Sequence, residues 1–201
     1  MEWLFLLVAL IAVAMYWKSR RERSLRMLPK EFVVFDLETT GLKPDHDEII
    51  EIGAIRIQRN KSRHATFSTL VRPGRQIPAK ITRLTGITQE MVDADGVPLD
   101  EALRSFVDFI GGRRLVAHNA DFDAAFLRVG FKKTGIPKPT NPLSCSLDMA
   151  RRAWPKRRSY RLSDLARDGR LDQAGAHRAL ADAQRAALVY AAAAKELNSP
   201  H

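Results

Sequence analysis

Cysteine occurs once in the 201 residues, at Cys145. No second thiol and no local histidine accompanies it, which excludes an internal disulfide framework and a cysteine-built zinc site and leaves a small buried residue as the expected role. Internal repeats and low-complexity tails are also absent, so the chain does not read as an array. After an N-terminal segment, about 170 residues remain, enough for one domain with a sizeable core and too few for a second full one. An acidic excess is missing too: the formal net charge is +10. That charge is local. Between Lys18 and Lys30 six basic residues face only Glu22, and between Arg151 and Arg170 eight face only Asp164 and Asp168, while the rest of the chain is nearly balanced.

Charge is missing altogether from Trp3 to Trp17, a run with Trp3 at one end and Tyr16 and Trp17 at the other. As a helix it would span roughly 22 Å, short of a hydrocarbon core of roughly 30 Å, so it needs anchors such as these aromatics or local thinning. Glu2 precedes the run and the basic cluster follows it, opposite to the order of a cleavable signal peptide. Residues 1–17 are therefore expected to be a retained transmembrane anchor. Residues 18–30 are expected to be a basic juxtamembrane linker able to sit on anionic head groups, and residues 31–197 the folded domain. The excess of Lys and Arg after the anchor places the domain on the cytoplasmic side of the inner membrane, single-pass.

In the domain, Glu31 to Glu38 is nearly continuously apolar and reads as a central strand. Glu48 to Gln58 and Ala65 to Val71 complete an antiparallel meander, with a turn at Arg59 to Ser62. Pro98 to Ile110 is the clearest helix, with Leu99, Leu103, Phe106 and Ile110 on one face and Gly111-Gly112 at its end. A short strand at Arg114 to His118, a helix from Asp121 towards Gly130, a strand at Asn141 to Cys145 and a long alanine-rich helix from about His177 to Leu197 follow. Strands first, then helices interleaved with strands, predict an α/β fold around a mixed sheet with flanking helices.

Three acidic clusters lie far apart in the chain: Phe35-Asp36-Leu37-Glu38-Thr39-Thr40-Gly41, His118-Asn119-Ala120-Asp121-Phe122-Asp123 and His177-Arg178-Ala179-Leu180-Ala181-Asp182. Asp36 and Glu38 leave the same strand face with alpha carbons about 6.6 Å apart, close enough to share a divalent ion, while Phe35 and Leu37 point into the opposite face. Asp121 is positioned as an N-cap and Asp123 within the first turn, which assigns metal chemistry to Asp123. His177 and Asp182 are five apart, about 140° on a regular helix, so both face one site only if His177 stands before the helix, as Gly175 suggests.

Together the clusters resemble the DEDDh exonucleases, the superfamily that includes the epsilon proofreading subunit of bacterial polymerase III. Ile49-Ile50-Glu51-Ile52-Gly53-Ala54 and Leu84-Thr85-Gly86-Ile87-Thr88 add to the likeness, which covers nearly all of residues 31–197. The resemblance implies a ribonuclease H-like fold and removal of nucleotides from the 3′ end of a nucleic acid strand. It implies Asp36, Glu38, Asp123 and Asp182 as ligands of two Mg²⁺ or Mn²⁺ ions, and His177 as general base. Four carboxylates would repel one another without such ions, and a pair of ions can stabilise both attacking water and departing 3′ oxygen. A histidine is the side-chain type suited to taking the proton from that water near neutral pH.

The resemblance further implies that Thr39, Thr40, Gly41 and Leu42 line the pocket of the terminal nucleotide, bordered by Leu84 to Ile87 with Thr85 among them, and that His118 and Asn119 face the substrate. Arg157, Arg158 and Arg161, with Tyr160 between them, form a cationic strip suited to a single-strand backbone. Only Asn198 to His201 follow the final helix, so the extension with which epsilon grips its polymerase is not expected. A stand-alone exonuclease at the membrane is the leading expectation, and a catalytically silent nucleic-acid tether the alternative.

Overall fold

The computed structural model describes residues 28–171 and 176–198. The expected membrane anchor and most of the juxtamembrane linker lie outside these residues. Among the described residues, no helix is long and apolar enough to cross a membrane.

Five strands form one mixed sheet in the order β3-β2-β1-β4-β5, with β1 at Glu31–Thr39, β2 at Ile49–Gln58, β3 at Ala65–Leu70, β4 at Arg114–Ala117 and β5 at Leu143–Cys145. The first three pair antiparallel, as the meander predicts, and β4 and β5 add in parallel. The mixed sheet with flanking helices fits the expected ribonuclease H-like architecture. Helices α1 (Ala79–Thr85), α2 (Gln89–Asp95) and α3 (Leu99–Ile110) follow the meander, and α4 (Ala120–Thr134) joins β4 to β5. Then come α5 (Ser146–Ala153), α6 (Leu162–Asp168) and α7 (Ala179–Leu197). The β5 strand is shorter than expected, and α4 runs on past Gly130 to end at Gly135 in the left-handed conformation.

Strand β1 is central, and its two faces enter different cores. Val33, Phe35 and Leu37 pack with Leu103, Phe106 and Ile110 of α3 and with Phe126 and Phe131 of α4. Phe32 and Val34 pack under α7 against Ala183, Ala186, Ala187 and Tyr190. Side chains alternate along a strand, so the register of Phe32 and Val34 continues as Asp36 and Glu38. The face that is apolar under the body of α7 thus turns acidic near its first turn.

The run of alanines lets α7 lie close on the sheet, and one glycine lets its start lie closer still. Gly53 is the cross-strand partner of Asp36. A Cβ at Gly53 would sit 2.1 Å from the backbone nitrogen of Leu180 and 2.3 Å from the carbonyl carbon of Ala179. Backbone therefore rests directly on backbone there, and Asp182 arrives beside Asp36.

Candidate active site

Asp36, Glu38 and Asp182 converge at the end of β1. One carboxylate oxygen from each lies within 4.8 Å of the others, an arrangement able to hold a cation. Asp123 enters from the first turn of α4, only 3% exposed, and shares a cavity of about 350 Å³ with these three, His118, Asn119 and His177. Sequence separation had not obscured this set: residues from three distant segments face one space.

The site is electrostatically strained as a bare protein. Burial, followed by the charges of Asp123, Glu38, Asp182 and Glu51, pushes the Asp36 carboxyl well above the usual carboxylate range. Burial, then Asp182, Glu51 and Asp123, raises Glu38 to about 8, with Arg178 pulling the other way. Burial raises Asp123 to about 7, although backbone hydrogen bonds at Asp123 itself and at Leu37 oppose the rise. Asp36, Glu38 and Asp123 sit where burial, with repulsion at Asp36 and Glu38, disfavours the charged carboxylate, and a divalent cation would offset that by favouring the charged forms.

His177 solves its spacing problem as expected, standing before α7 rather than on it. Its backbone is left-handed, φ 60°, and its amide donates to Asp182 Oδ2 at 3.0 Å. The side chain is exposed at the mouth of the same cavity. Arg185, one turn further along α7, donates to Asp182 Oδ1 at 2.5 Å. Asp182 is therefore oriented from two sides.

The residue that seats this helix was not among the expected site residues. Glu51, 1% exposed, lies opposite Glu38 in the β1–β2 ladder. Its carboxylate accepts the Ala179 amide at 2.9 Å and the Arg178 guanidinium through Nη2 at 2.7 Å and Nε at 3.1 Å. An acid at the open N-terminus of a helix satisfies a free amide and the helix dipole together. Placement on the α7-facing side of β2 was readable from period-two alternation; its partner, 127 positions away, was not.

The second cluster departs from expectation in its cap. The N-cap of α4 is Asn119, with no side-chain cap bond, and Asp121 is an exposed first-turn residue. Asp123 keeps its expected inward direction. His118 is buried, and both ring nitrogens are engaged, Nε2 with the Tyr160 carbonyl at 2.8 Å and Nδ1 with the Ser146 hydroxyl at 2.9 Å. A carbonyl only accepts, so Nε2 carries the proton and Nδ1 accepts from Ser146. Burial also holds the His118 pKa below its ordinary value. A neutral, doubly bonded imidazole fixes the segment around Tyr160 to the end of β4.

The expected nucleotide-lining residues divide. Thr39 donates to the Gly41 carbonyl at 2.6 Å, and the Thr40 hydroxyl accepts the Glu48 amide at 2.9 Å, so both hydroxyls shape the turn after β1. At Gly41 the space a side chain would take is filled by Asp47, whose carboxylate a Cβ would meet at 2.4 Å. Thr85 is buried at the end of α1, donating to Ile81 and accepting from the Ile87 amide, and does not line the cavity. Leu42 and Leu84 are both large apolar side chains open to solvent.

The basic strip divides as well. Arg161 lines the carboxylate cavity, and Arg158 lines a neighbouring cleft. Arg157 turns away to pair with Asp168 behind α6. The Tyr160 hydroxyl donates to the Trp154 carbonyl at 2.6 Å and its ring packs beside Leu165 and Val189, while the half-buried residue borders the same cleft as Arg158.

Comparison with known proteins agrees with this geometry. A family model described as an exonuclease matches residues 33–190. The polymerase III epsilon subunit of Aquifex aeolicus is 35% identical over 180 residues, covering 90% of this chain and 88% of its own length. A PolC-type polymerase III from Caldanaerobacter subterraneus is 42% identical over 163 residues, 81% of this chain but 11% of that protein. The chain thus spans about a tenth of the PolC-type relatives it matches. Among solved structures, the nuclease domain of 3′hExo, a DEDDh member bound to rAMP, superposes with a TM-score of 0.70 at 21% identity, covering 81% of this chain and 90% of that one.

Proposed function

Because the chain belongs to the exonuclease family, we propose that it removes nucleotides one at a time from the 3′ end of single-stranded nucleic acid. The observation that carries this is the convergence of Asp36, Glu38 and Asp182 within 4.8 Å, with His177 held to Asp182 at the mouth of the same cavity.

Asp36, Glu38, Asp123 and Asp182 would hold Mg²⁺ or Mn²⁺, two ions per site, supplying Lewis-acid stabilisation to the attacking water and the departing oxygen. His177 is exposed and outside the helix, free to accept a proton from that water. The water oxygen bonds to the scissile phosphorus as the bond to the 3′ oxygen breaks. The products are a nucleoside 5′-monophosphate and a strand with a new 3′ hydroxyl. Arg178 and Arg185 hold the acidic elements in place by pairing with Glu51 and Asp182. Leu42 and Leu84 offer apolar surface to the terminal nucleotide.

The uncharged run from Trp3 to Trp17, followed by the basic cluster of residues 18–30, supports a further part of the reading: a single-pass inner-membrane anchor with the domain in the cytoplasm. Release of the full chain from membranes by high salt without detergent would refute it. For the activity, Asp36→Ala should abolish Mg²⁺-dependent hydrolysis of a 3′-labelled oligonucleotide while leaving the fold intact. Undiminished hydrolysis by a folded Asp36→Ala protein would overturn the proposal.

A further inference from the structure

Beside the carboxylate cavity lies an open cleft of about 630 Å³ that shares His118, Asn119 and Arg161 with it, so the two are continuous. Its walls carry Arg151, Arg158 and Arg161 against one carboxylate, Asp164. That carboxylate is already engaged, accepting the Ser159 hydroxyl at 2.6 Å and Arg167 at 2.5 Å. Arg151 touches Asp148 at 3.2 Å, but both side chains are more than half exposed, and such a pair is weak enough to be exchanged for a phosphate.

Two observations separate this cleft from an ordinary solvated basic face. The segment bearing Arg158 and Arg161 is fixed, because His118 Nε2 donates to the Tyr160 carbonyl and the Tyr160 hydroxyl donates to Trp154. The cleft's charged lining is cationic apart from Asp164, and Tyr160, half-buried with its ring beside Leu165 and Val189, borders it with its hydroxyl already committed to Trp154. Position in the fold supplies direction. The cleft lies on the β4–β5 side of β1, where His118 follows β4 and Leu147 lies in α5, whereas the turn at Thr39 to Leu42 leads to β2 on the other side.

We propose that this cleft receives the sugar–phosphate backbone of the strand on the 5′ side of the scissile bond, through Arg151 and Arg158. The proposal rests on the exonuclease reading and deepens it. Contacts to phosphates make the grip indifferent to sequence, dependent on strand length and sensitive to salt. A dinucleotide reaches the carboxylates without entering the cleft, whereas a long strand occupies both.

The test compares Arg151→Gln, Arg158→Gln and the double variant with the unaltered full chain. For a long single-stranded oligonucleotide, KM should rise about tenfold per substitution, while turnover of a dinucleotide stays unchanged. In parallel, anisotropy of a labelled oligonucleotide on the Glu38→Gln background should show the log–log salt slope fall by about 0.7 for each arginine removed. Unchanged preference for long over short substrates, an unchanged salt slope, or equal loss on both substrates would overturn the cleft's assignment. Failure of the unaltered protein to cut either substrate would count against the exonuclease reading instead, and the binding arm would still decide the cleft.

Discussion

Replacing Gly53 by alanine adds one methyl group and tests how the site is assembled. The new Cβ would stand 2.1 Å from the Leu180 nitrogen, 2.3 Å from the Ala179 carbonyl carbon and 2.6 Å from the Leu180 Cα, against the 3.4 Å at which ordinary contact begins. All three atoms are backbone, so no side chain can swing aside. The first turn of α7 must retreat by about 1.3 Å, the difference between the shortest contact and the ordinary one. Overpacking of this kind costs about 1–3 kcal/mol of stability. The effect on catalysis should exceed what that loss of stability implies, because Asp182 rides on the displaced turn while Asp36, opposite Gly53, stays with the sheet. A misplacement of about 1 Å in a catalytic constellation costs roughly 100-fold in rate. The assay is steady-state hydrolysis of a 3′-labelled oligonucleotide in saturating Mn²⁺, with thermal unfolding measured on the same preparation. The expected result is a folded protein, lower in Tm, with kcat down by about two orders of magnitude and KM for the strand little changed. Wild-type kcat and Tm together would refute the close seating of α7 on Gly53.

Other outcomes follow from the same geometry. Glu38 and Asp123 are raised in the folded protein from 4.5 to about 8 and from 3.8 to about 7, so the folded state holds protons that the unfolded chain has released. Stability of the metal-free protein should therefore fall from about pH 5 to pH 8, and Mn²⁺ should restore more of it at pH 8 than at pH 5; a Tm in EDTA that rises over this range would contradict the assignment. Arg178→Ala leaves Glu51 buried with only the Ala179 amide, and chemical denaturation should show a loss of roughly 2–3 kcal/mol, below the cost of breaking a fully buried pair because Arg178 is partly exposed. Lysine at 178 should restore only part of that loss, since it lacks the two-pronged geometry. His177→Ala should slow turnover by about 10²–10⁴ while calorimetric Mn²⁺ affinity holds; parallel loss of both would make His177 a ligand rather than a base.

What the sequence disclosed and what it withheld divide by range. Alternation along β1 was enough to put Asp36 and Glu38 on one face and Phe35 and Leu37 on the other, because the period of a strand is a local property. The same holds for Asp123 at the start of α4, and for His177, whose spacing from Asp182 forbade a shared helix. The N-cap assigned to Asp121 failed because α4 begins at Ala120, two residues before the start at Phe122 that such a cap requires, which puts Asn119 at the cap. Glu51 with Arg178, Gly53 under Leu180 and His118 with Tyr160 were not legible, since each depends on which distant segment the sheet brings alongside. Arg157 looked equivalent to Arg158 in a run of basic residues, and only the fold of the segment sends it to Asp168. Leu42 and Thr85 were both expected at the pocket; exposure of one and burial of the other follow from turn and helix-end geometry that composition does not encode.

The acidic residues play two different parts, and their partners explain why. Glu51 neighbours the cluster electrostatically, yet it does not line the carboxylate cavity, and its oxygens pair with Arg178 and the Ala179 amide. It therefore secures the helix rather than offering a ligand. Asp182 is bound by Arg185 on one oxygen and by the His177 amide on the other, so its orientation and the left-handed turn at His177 are one feature. A left-handed non-glycine residue costs roughly 1–2 kcal/mol, and a hydrogen bond to a carboxylate contributes about as much. The bond from the His177 amide to Asp182 thus offsets the cost of the left-handed turn. Asp36 and Glu38 are fixed by the sheet itself, on the strand buried between β2 and β4. Carboxylates fixed on the strand and a histidine tied through its own backbone to Asp182 on the helix together set the distance between the proposed metal ligands and the proposed proton acceptor, which neither element fixes alone.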